Sequence, residues 1–413
     1  MSHGVYIASA VRTPIGKFGG GLADLTAPDL GVIAVREALR RAFGNAPEER
    51  APGDRKRMEP ARPPRMVDEL ILGNARPAGV GPNVARQVAW RTGLGDDVPA
   101  FTVNMACASG IRAILLGWQQ IALGAADVIV AGGAESMSRV PYLLDARWGM
   151  RMGHQQLVDA MYRDGFLCPL SQMVMGETAD LLAKEYKIPR AEQDEFALES
   201  HRRAARAMES CLFSQEIIPV EKTDAKGRTS RVEKDEHVRP DVTLEGLAKL
   251  LPVFAKDGTI TAGNASGLTD AASAVVLVGE DRVKSLAGPP LARIVDATVA
   301  AVEPHRMGVG PVPACRKLEE RTGWKMADYA AVELNEAFAA QVLACDRELH
   351  FDRARLNPNG GAIALGHPIG ATGARIVTTL LHELRRRPSG QRRGLATLCV
   401  SGGLGVALAL EAA

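Results

Sequence analysis

No two of the six cysteines stand at the spacing of a metal or redox motif: Cys107, Cys168, Cys211, Cys315, Cys345 and Cys399 are scattered, and none forms C-x-x-C. That argues against a zinc site or a disulfide framework and for a reducing compartment. Charge of one sign is lacking too. The net charge of +2 gives no strong pull toward nucleic acid or membrane. Two basic clusters, Arg50–Arg65 and Arg385–Arg393, lie between structured segments without interleaved aromatics and read as solvated loops. No apolar run is long enough to span a bilayer. The N-terminal stretch from Met1 has no basic region ahead of a long apolar run, so it is not a signal peptide. The end at Ala413 carries no targeting tail. Cytoplasm is the expected location.

What is there is an ordinary globular composition. Hydrophobic residues make up 46% and charged residues 24% of 413 positions, enough for two domains or one large core with an insertion. Strand-like runs at Gly4–Ala10, Val67–Leu72, Pro99–Val103 and Asp127–Ala131 alternate with helical stretches. That order predicts a parallel, helix-covered sheet. Thr26-Ala-Pro-Asp29 predicts a capped helix start, and Gly132-Gly133 is read as the end of the fourth strand. From about Ser136 to Pro252 helical segments dominate, most clearly Arg190–Ser210, and suggest an insertion over the sheet. After Pro289-Pro290 the opening pattern recurs. Strands at Leu291–Ala300 and Tyr329–Leu334 precede a helix at about Ile369–Leu384, and strands at Leu395–Val400 and Gly405–Leu410 close the chain. Two halves of similar order predict an internal duplication, with the site where they meet.

Cys107 falls at a strand-to-helix turn, in Asn104-Met-Ala-Cys-Ala-Ser-Gly110. A helix N-terminus stabilises a thiolate, yet position alone does not separate a nucleophile from a small buried residue. Three further glycine-rich or polar stretches stand where loops at strand ends are expected: Asn335-Glu336, Gly366-His367-Pro368 and Cys399-Val-Ser401-Gly-Gly403. Catalytic groups concentrate at such loops. Together they supply two thiols, an imidazole, an amide and glycine-flanked N–H groups. One thiol can attack, with the imidazole as its base; the other can move a proton, best with a pKa near ambient pH, while N–H donors hold an oxyanion. Asn335 could instead cap the helix after it. Gly402-Gly403-Leu-Gly405 is followed by a strand and is no dinucleotide loop.

Five stretches in order carry a family resemblance: N-M-A-C-A-S-G at Asn104, T-A-G-N-A-S-G-L-T-D at Thr261, N-E-A-F-A at Asn335, N-P-N-G-G-A-I-A-L-G-H-P-I-G-A-T-G-A-R at Asn357, and C-V-S-G-G-L-G at Cys399. Over essentially its full length the chain resembles the thiolases. The resemblance implies duplicated β/α halves in a layered αβαβα arrangement, residues 1–288 and 289–413, with a loop-domain insertion at about 136–252. It implies that Cys107 carries the acyl group as a thioester and that His367 takes its proton. Cys399 is implied as acid and base. Asn335 and His367 would serve one oxyanion site, the Asn through a water, and the N–H groups of Cys107 and Ser401 the other. More distantly it implies Arg239 near the nucleotide end of CoA, Phe254 near the adenine, and Ser266 on the pantetheine. Met175, Met307 and Phe338 would shape the acyl pocket.

The expected activity is acetyl-CoA C-acetyltransferase: two acetyl-CoA giving acetoacetyl-CoA and CoA, or the reverse, with CoA thioesters as substrates and without metal or other cofactor. A homodimer or homotetramer is implied, with no nucleic-acid or membrane partner. The rivals are a 3-ketoacyl-CoA thiolase of fatty-acid breakdown and a non-catalytic CoA- or lipid-binding protein on the same scaffold. A decarboxylating ketoacyl synthase fits less well, since its motifs are not found. Two departures from the family pattern stand out. Val174 precedes Met175-Gly176 where many short-chain members have His, and Ser401 stands where the Cys-x-Gly motif has Gly.

Overall fold

A computed structural model describes residues 4–54, 66–223 and 227–413. Nine strands form the main sheet: β1 (Val5–Arg12), β2 (Glu69–Gly73), β3 (Ala100–Val103), β4 (Val128–Ser136), β5 (Thr269–Gly279), β6 (Ala292–Ala301), β7 (Ala331–Leu334), β8 (Arg393–Val400) and β9 (Leu404–Ala412). Their order is β7-β8-β9-β6-β1-β5-β4-β2-β3, with Gly16–Lys17 paired onto β5. The expected all-parallel sheet is corrected. Only β2–β3, β2–β4 and β7–β8 are parallel; the other neighbours run antiparallel. Alternation of strands and helices reads as parallel because crossovers are visible in a sequence, whereas β5 and β9 return without one. The same sequence of directions occurs twice: β1, β2, β4 and β5 correspond to β6, β7, β8 and β9. The halves join at β1–β6 through Tyr6 opposite Arg293 and Ile7 opposite Ala292.

Eight longer helices flank or cover the sheet: α1 (Ala27–Phe43), α2 (Val84–Thr92), α3 (Ser109–Ala122), α4 (Met175–Glu185), α5 (Arg190–Glu209), α6 (Pro311–Thr322), α7 (Ala339–Leu349) and α8 (Ile369–Arg386). Thr26 caps α1 in the expected capping box with Asp29. Alternate residues of a strand point to opposite faces, and the apolar clusters follow this. Val406, Leu408 and Leu410 of β9 face inward with α3 and α8, while Ala407 and Ala409 face α6 and α7. On the far side α1 and α2 cover Val128 and Val130 of β4. Five layers result, αβαβα, with α3 and α8 in the middle.

The middle layer is thin because glycines let the helices touch. A Cβ on Gly373 would come within 2.3 Å of the Ile111 nitrogen, and one on Gly110 within 2.8 Å of the Ala374 nitrogen. Gly132 and Gly133 do not end β4, which continues to Ser136. Added Cβ atoms there would meet the Ser273 carbonyl oxygen at 2.1 Å and that of Gly370 at 2.0 Å. These glycines mark close backbone approach. The basic connection departs from its expected exposure at its first residue. Arg50 is buried, with its guanidinium 4.0 Å over the Trp90 ring; the rest of that stretch beyond Asp54 lies outside the described residues. Among the described residues no helix is long and apolar enough to cross a membrane, and no group of three or more His, Cys, Asp or Glu could hold a metal ion.

Candidate active site

Cys107 sits on a strained turn between β3 and α3. Ala106 before it has φ +44°, a left-handed conformation that costs a non-glycine residue about 1 kcal/mol or more. Local hydrogen bonds hold it there: Ala106 N–H donates to Asn104 Oδ1 at 2.9 Å, Met105 N–H donates to Ser109 Oγ at 2.9 Å, and the Ser109 hydroxyl donates to the Ala106 carbonyl at 2.7 Å. The polar residues of the first motif therefore aim the thiol.

His367 enters from the other half, just before α8. Its N–H donates to the Gly267 carbonyl at 3.1 Å. Nδ1 lies 2.6 Å from the Thr372 hydroxyl, whose oxygen is 3.0 Å from the Pro368 carbonyl. A carbonyl only accepts and the hydroxyl has one proton, so both bonds form only when Nδ1–H donates to Thr372. That leaves Nε2 with the lone pair, and Nε2 is buried without a partner among the described residues.

Cys399 ends β8, followed by a hairpin through Gly402 (φ +90°) and Gly403 (φ +87°). The backbone N–H of Ser401 acts to lower the Cys107 pKa, and Ser401 lines the same cavity as that thiol. Asn335 follows β7, and its N–H donates to the Thr397 carbonyl at 3.1 Å. It does not cap α7, whose N-cap is Phe338. Both amide atoms of Asn335 are buried with no partner among the described residues.

One cavity of about 670 Å³ gathers Cys107, His367, Cys399 and Ser401. Ser266, Met175, Met307, Phe338 and Phe254 also line it, as does Val174. Phe254 meets Phe338 edge-on, with ring centroids 6.3 Å apart, and packs on Gly176, where a Cβ would clash with its ring at 2.1 Å. Asn335 is not among the residues that line it. Arg239 does not line the cavity: its N–H donates to His201 Nδ1 at 3.2 Å, and its Nε is unpaired.

Electrostatics revise the expected thiolate. Burial pushes the Cys107 thiol up, offset only in part by the Ser401 N–H and the Arg76 charge. Burial pushes Cys399 well above the ordinary thiol value, with Cys107 and Cys345 adding to the shift. His367 is lowered to about 3 by burial and then by Arg375 and Arg76. Burial thus favours the uncharged form of all three groups.

Three residues in this neighbourhood were not singled out from the sequence. Thr372 fixes the imidazole. Glu135, at the end of β4, accepts from the N–H groups of Ala75, Arg76 and Gly370 and from the Asn74 amide. Arg76 lines the cavity. Thr372 lay inside a quoted motif and could have been found as the hydroxyl one helical turn beyond His367; the other two carried no local signal.

Residues 58–281 match the Thiolase, N-terminal domain and residues 288–412 the Thiolase, C-terminal domain. The acetyl-CoA acetyltransferase of Rhizobium meliloti (strain 1021) is 46% identical over 98% of both chains. That of Escherichia coli (strain K12) is 47% identical, again over 98% of both. Among solved structures, the Bacillus anthracis acetyl-CoA acetyltransferase superposes with a TM-score of 0.92 at 44% identity, covering 100% of this chain and 99% of the other. Human mitochondrial 3-ketoacyl-CoA thiolase in complex with CoA gives 0.89 at 41% identity, covering 100% and 98%. Family matches across both halves, full-length relatives and a shared five-layer fold agree: the chain belongs to the thiolase family.

Proposed function

We propose that this chain is an acetyl-CoA C-acetyltransferase, catalysing the reversible Claisen condensation of two acetyl-CoA to acetoacetyl-CoA and CoA. The observation that carries the proposal is the convergence of Cys107, His367, Cys399 and Ser401 on one cavity. The Cys107 sulfur attacks the thioester carbonyl while His367 Nε2 takes the thiol proton. The bond to the CoA sulfur breaks, and Cys399 gives that sulfur its proton. The Cys399 thiolate then removes a proton from the methyl group of a second acetyl-CoA. The new carbanion attacks the acetyl-cysteine, and Cys107 leaves, recovering its proton from His367. Every proton is returned, and the reaction as written calls for no metal or redox cofactor.

Cys399 is the second thiol lining that cavity, and a positioned thiol can exchange a proton with carbon or sulfur. N–H groups of Cys107 and Ser401 serve one oxyanion, and His367 with Asn335 the other, where a donor of this kind is worth roughly 10²–10³ in kcat. Arg239 near the nucleotide of CoA, Phe254 near its adenine and Ser266 on the pantetheine complete the proposed binding set, with Met175, Met307 and Phe338 around the acyl group. Cytoplasmic location and assembly as a homodimer or homotetramer accompany the proposal. β3 ends the sheet among the described residues, and a strand edge is a site where a second copy can pair.

A 3-ketoacyl-CoA thiolase acting on longer chains is the second reading, and Val174 favours it by placing an apolar side chain in the cavity wall. Thiolysis rates against 3-ketoacyl-CoA chain length, with Cys107→Ala as the blank, decide between them. A steep fall beyond acetoacetyl-CoA supports the short-chain reading; equal or higher rates on longer chains support the other. Rates no higher than the blank at every length would remove both.

A further inference from the structure

A guanidinium faces the cavity of Cys107, and no step of the proposed reaction uses it. Arg76 follows β2 and precedes Pro77, which favours an extended backbone at this position. Its side chain is 6% exposed, yet it pairs with no carboxylate among the described residues. Nη1 donates to the neighbouring Ala75 carbonyl at 3.1 Å, and Nε has no acceptor among the described residues. Glu135 is close, but its oxygens are already engaged by Asn74 Nδ2 (2.8 Å) and the N–H groups of Ala75 (3.0 Å), Arg76 (3.2 Å) and Gly370 (2.8 Å). Four donors fill the lone pairs of a carboxylate. Glu135 balances the charge of Arg76 without accepting from its guanidinium.

The guanidinium is also held in place. It stands 5.8 Å from the centroid of the Phe166 ring. It packs against Gly165, where a Cβ would come within 2.5 Å of Nε and Nη2. Phe166, Gly165, Met137 and Ile369 line the cavity on this side of Cys107. A buried cation with an unused donor is costly unless something satisfies it. A two-carbon acyl group offers only its carbonyl oxygen, which the proposed reaction assigns to other donors.

We infer that Arg76 binds a carboxylate at the far end of the acyl group on Cys107, which makes thioesters of short dicarboxylic acids a substrate class of this site. The inference rests on the acyl-cysteine reading above. In thiolysis, Cys107 attacks C3 of a 3-oxodicarboxylyl-CoA and the C2–C3 bond breaks. C2 takes a proton from Cys399 and leaves as acetyl-CoA. The shortened acyl group, still ending in its carboxylate, then passes to the sulfur of a new CoA, whose proton returns to Cys399. Arg76 touches none of the reacting carbons. The planar fork of an Arg side chain matches a carboxylate bidentately, as a Lys ammonium does not.

The test is a matched six-carbon pair, 3-oxohexanoyl-CoA and 3-oxoadipyl-CoA, which differ in ending in methyl or carboxylate. The wild-type ratio of kcat/KM should favour the carboxylate by about tenfold or more, as expected for a charge-assisted hydrogen bond. In Arg76→Met that ratio should fall by roughly 10- to 100-fold, and Arg76→Lys should keep part of it. A wild-type ratio at or below one overturns the inference, whether or not the variants fold. An equal fall on both substrates in Arg76→Met also overturns it, because the cation would then act on the Cys107 thiolate. Failure of acetyl-CoA to label wild-type Cys107 would strike the parent reading instead; with labelling intact, an adverse ratio strikes this inference alone.

Discussion

The Thr372 hydroxyl lies 2.6 Å from Nδ1 of His367 and 3.0 Å from the Pro368 carbonyl, one turn back along α8. A single proton donated to the carbonyl obliges the imidazole to donate from Nδ1. Thr372 thereby sets which nitrogen faces Cys107. Thr372→Val, equal in shape but without the hydroxyl, should lower kcat by about 10- to 100-fold, the usual cost of losing an orienting partner. KM should change far less. Steady-state kinetics beside a thermal melt separate this from misfolding, and an unchanged kcat would remove the tautomer argument.

Burial raises the Cys107 pKa, with the Ser401 N–H and the Arg76 charge opposing it. With its pKa raised, the thiolate fraction should grow about tenfold per pH unit through neutrality. Iodoacetamide alkylation of Cys107, followed by mass spectrometry, should therefore climb steadily from pH 6 to beyond pH 9. A plateau near pH 6 to 7 would mean a resting thiolate. His367, lowered to about 3, is neutral throughout that range and should add no inflection.

Contact between α3 and α8 depends on the missing side chain of Gly373, since a Cβ there would sit 2.3 Å from the Ile111 nitrogen. Backbone cannot yield as a side-chain tip can. Gly373→Ala should cost about 3 kcal/mol or more, at or above the upper end for overpacking a core, read from the midpoint of urea unfolding. The same change at Gly390, where a Cβ meets nothing within 4 Å, is the comparison at an open position with positive φ. A loss at Gly373 no larger than at Gly390 would show that contact between the helices does not set the cost.

Much of this was legible before any coordinates. The turn at Cys107 followed from a short apolar run and a helical period, and α1 from its capping box. His367 and Cys399 were legible as polar residues in glycine-rich stretches, though His367 follows the short helix Ala362–Leu365 and not a strand, and only the ordered motifs marked Cys399 as more than a strand cysteine. Strand direction was not legible, because β5 and β9 carry no local mark of running antiparallel. Gly132 and Gly133 misled in a physical way: glycine marks either a turn or a close approach, and only the neighbour at Gly370 tells which. The thiol pKa values could not be read either, because burial is a property of the assembled layers. Arg76 was invisible for the same reason, since nothing local says that a surface-type residue is turned inward beside the cavity.

The central claim is that Cys107 carries the acyl group, and acid-quenched mass spectrometry after mixing with labelled acetyl-CoA tests it most directly. One acetyl group per chain should be found on the peptide bearing Cys107, should be lost on adding CoA, and should be absent from Cys107→Ala. Label on another residue, or none on a folded wild-type chain, would contradict the account.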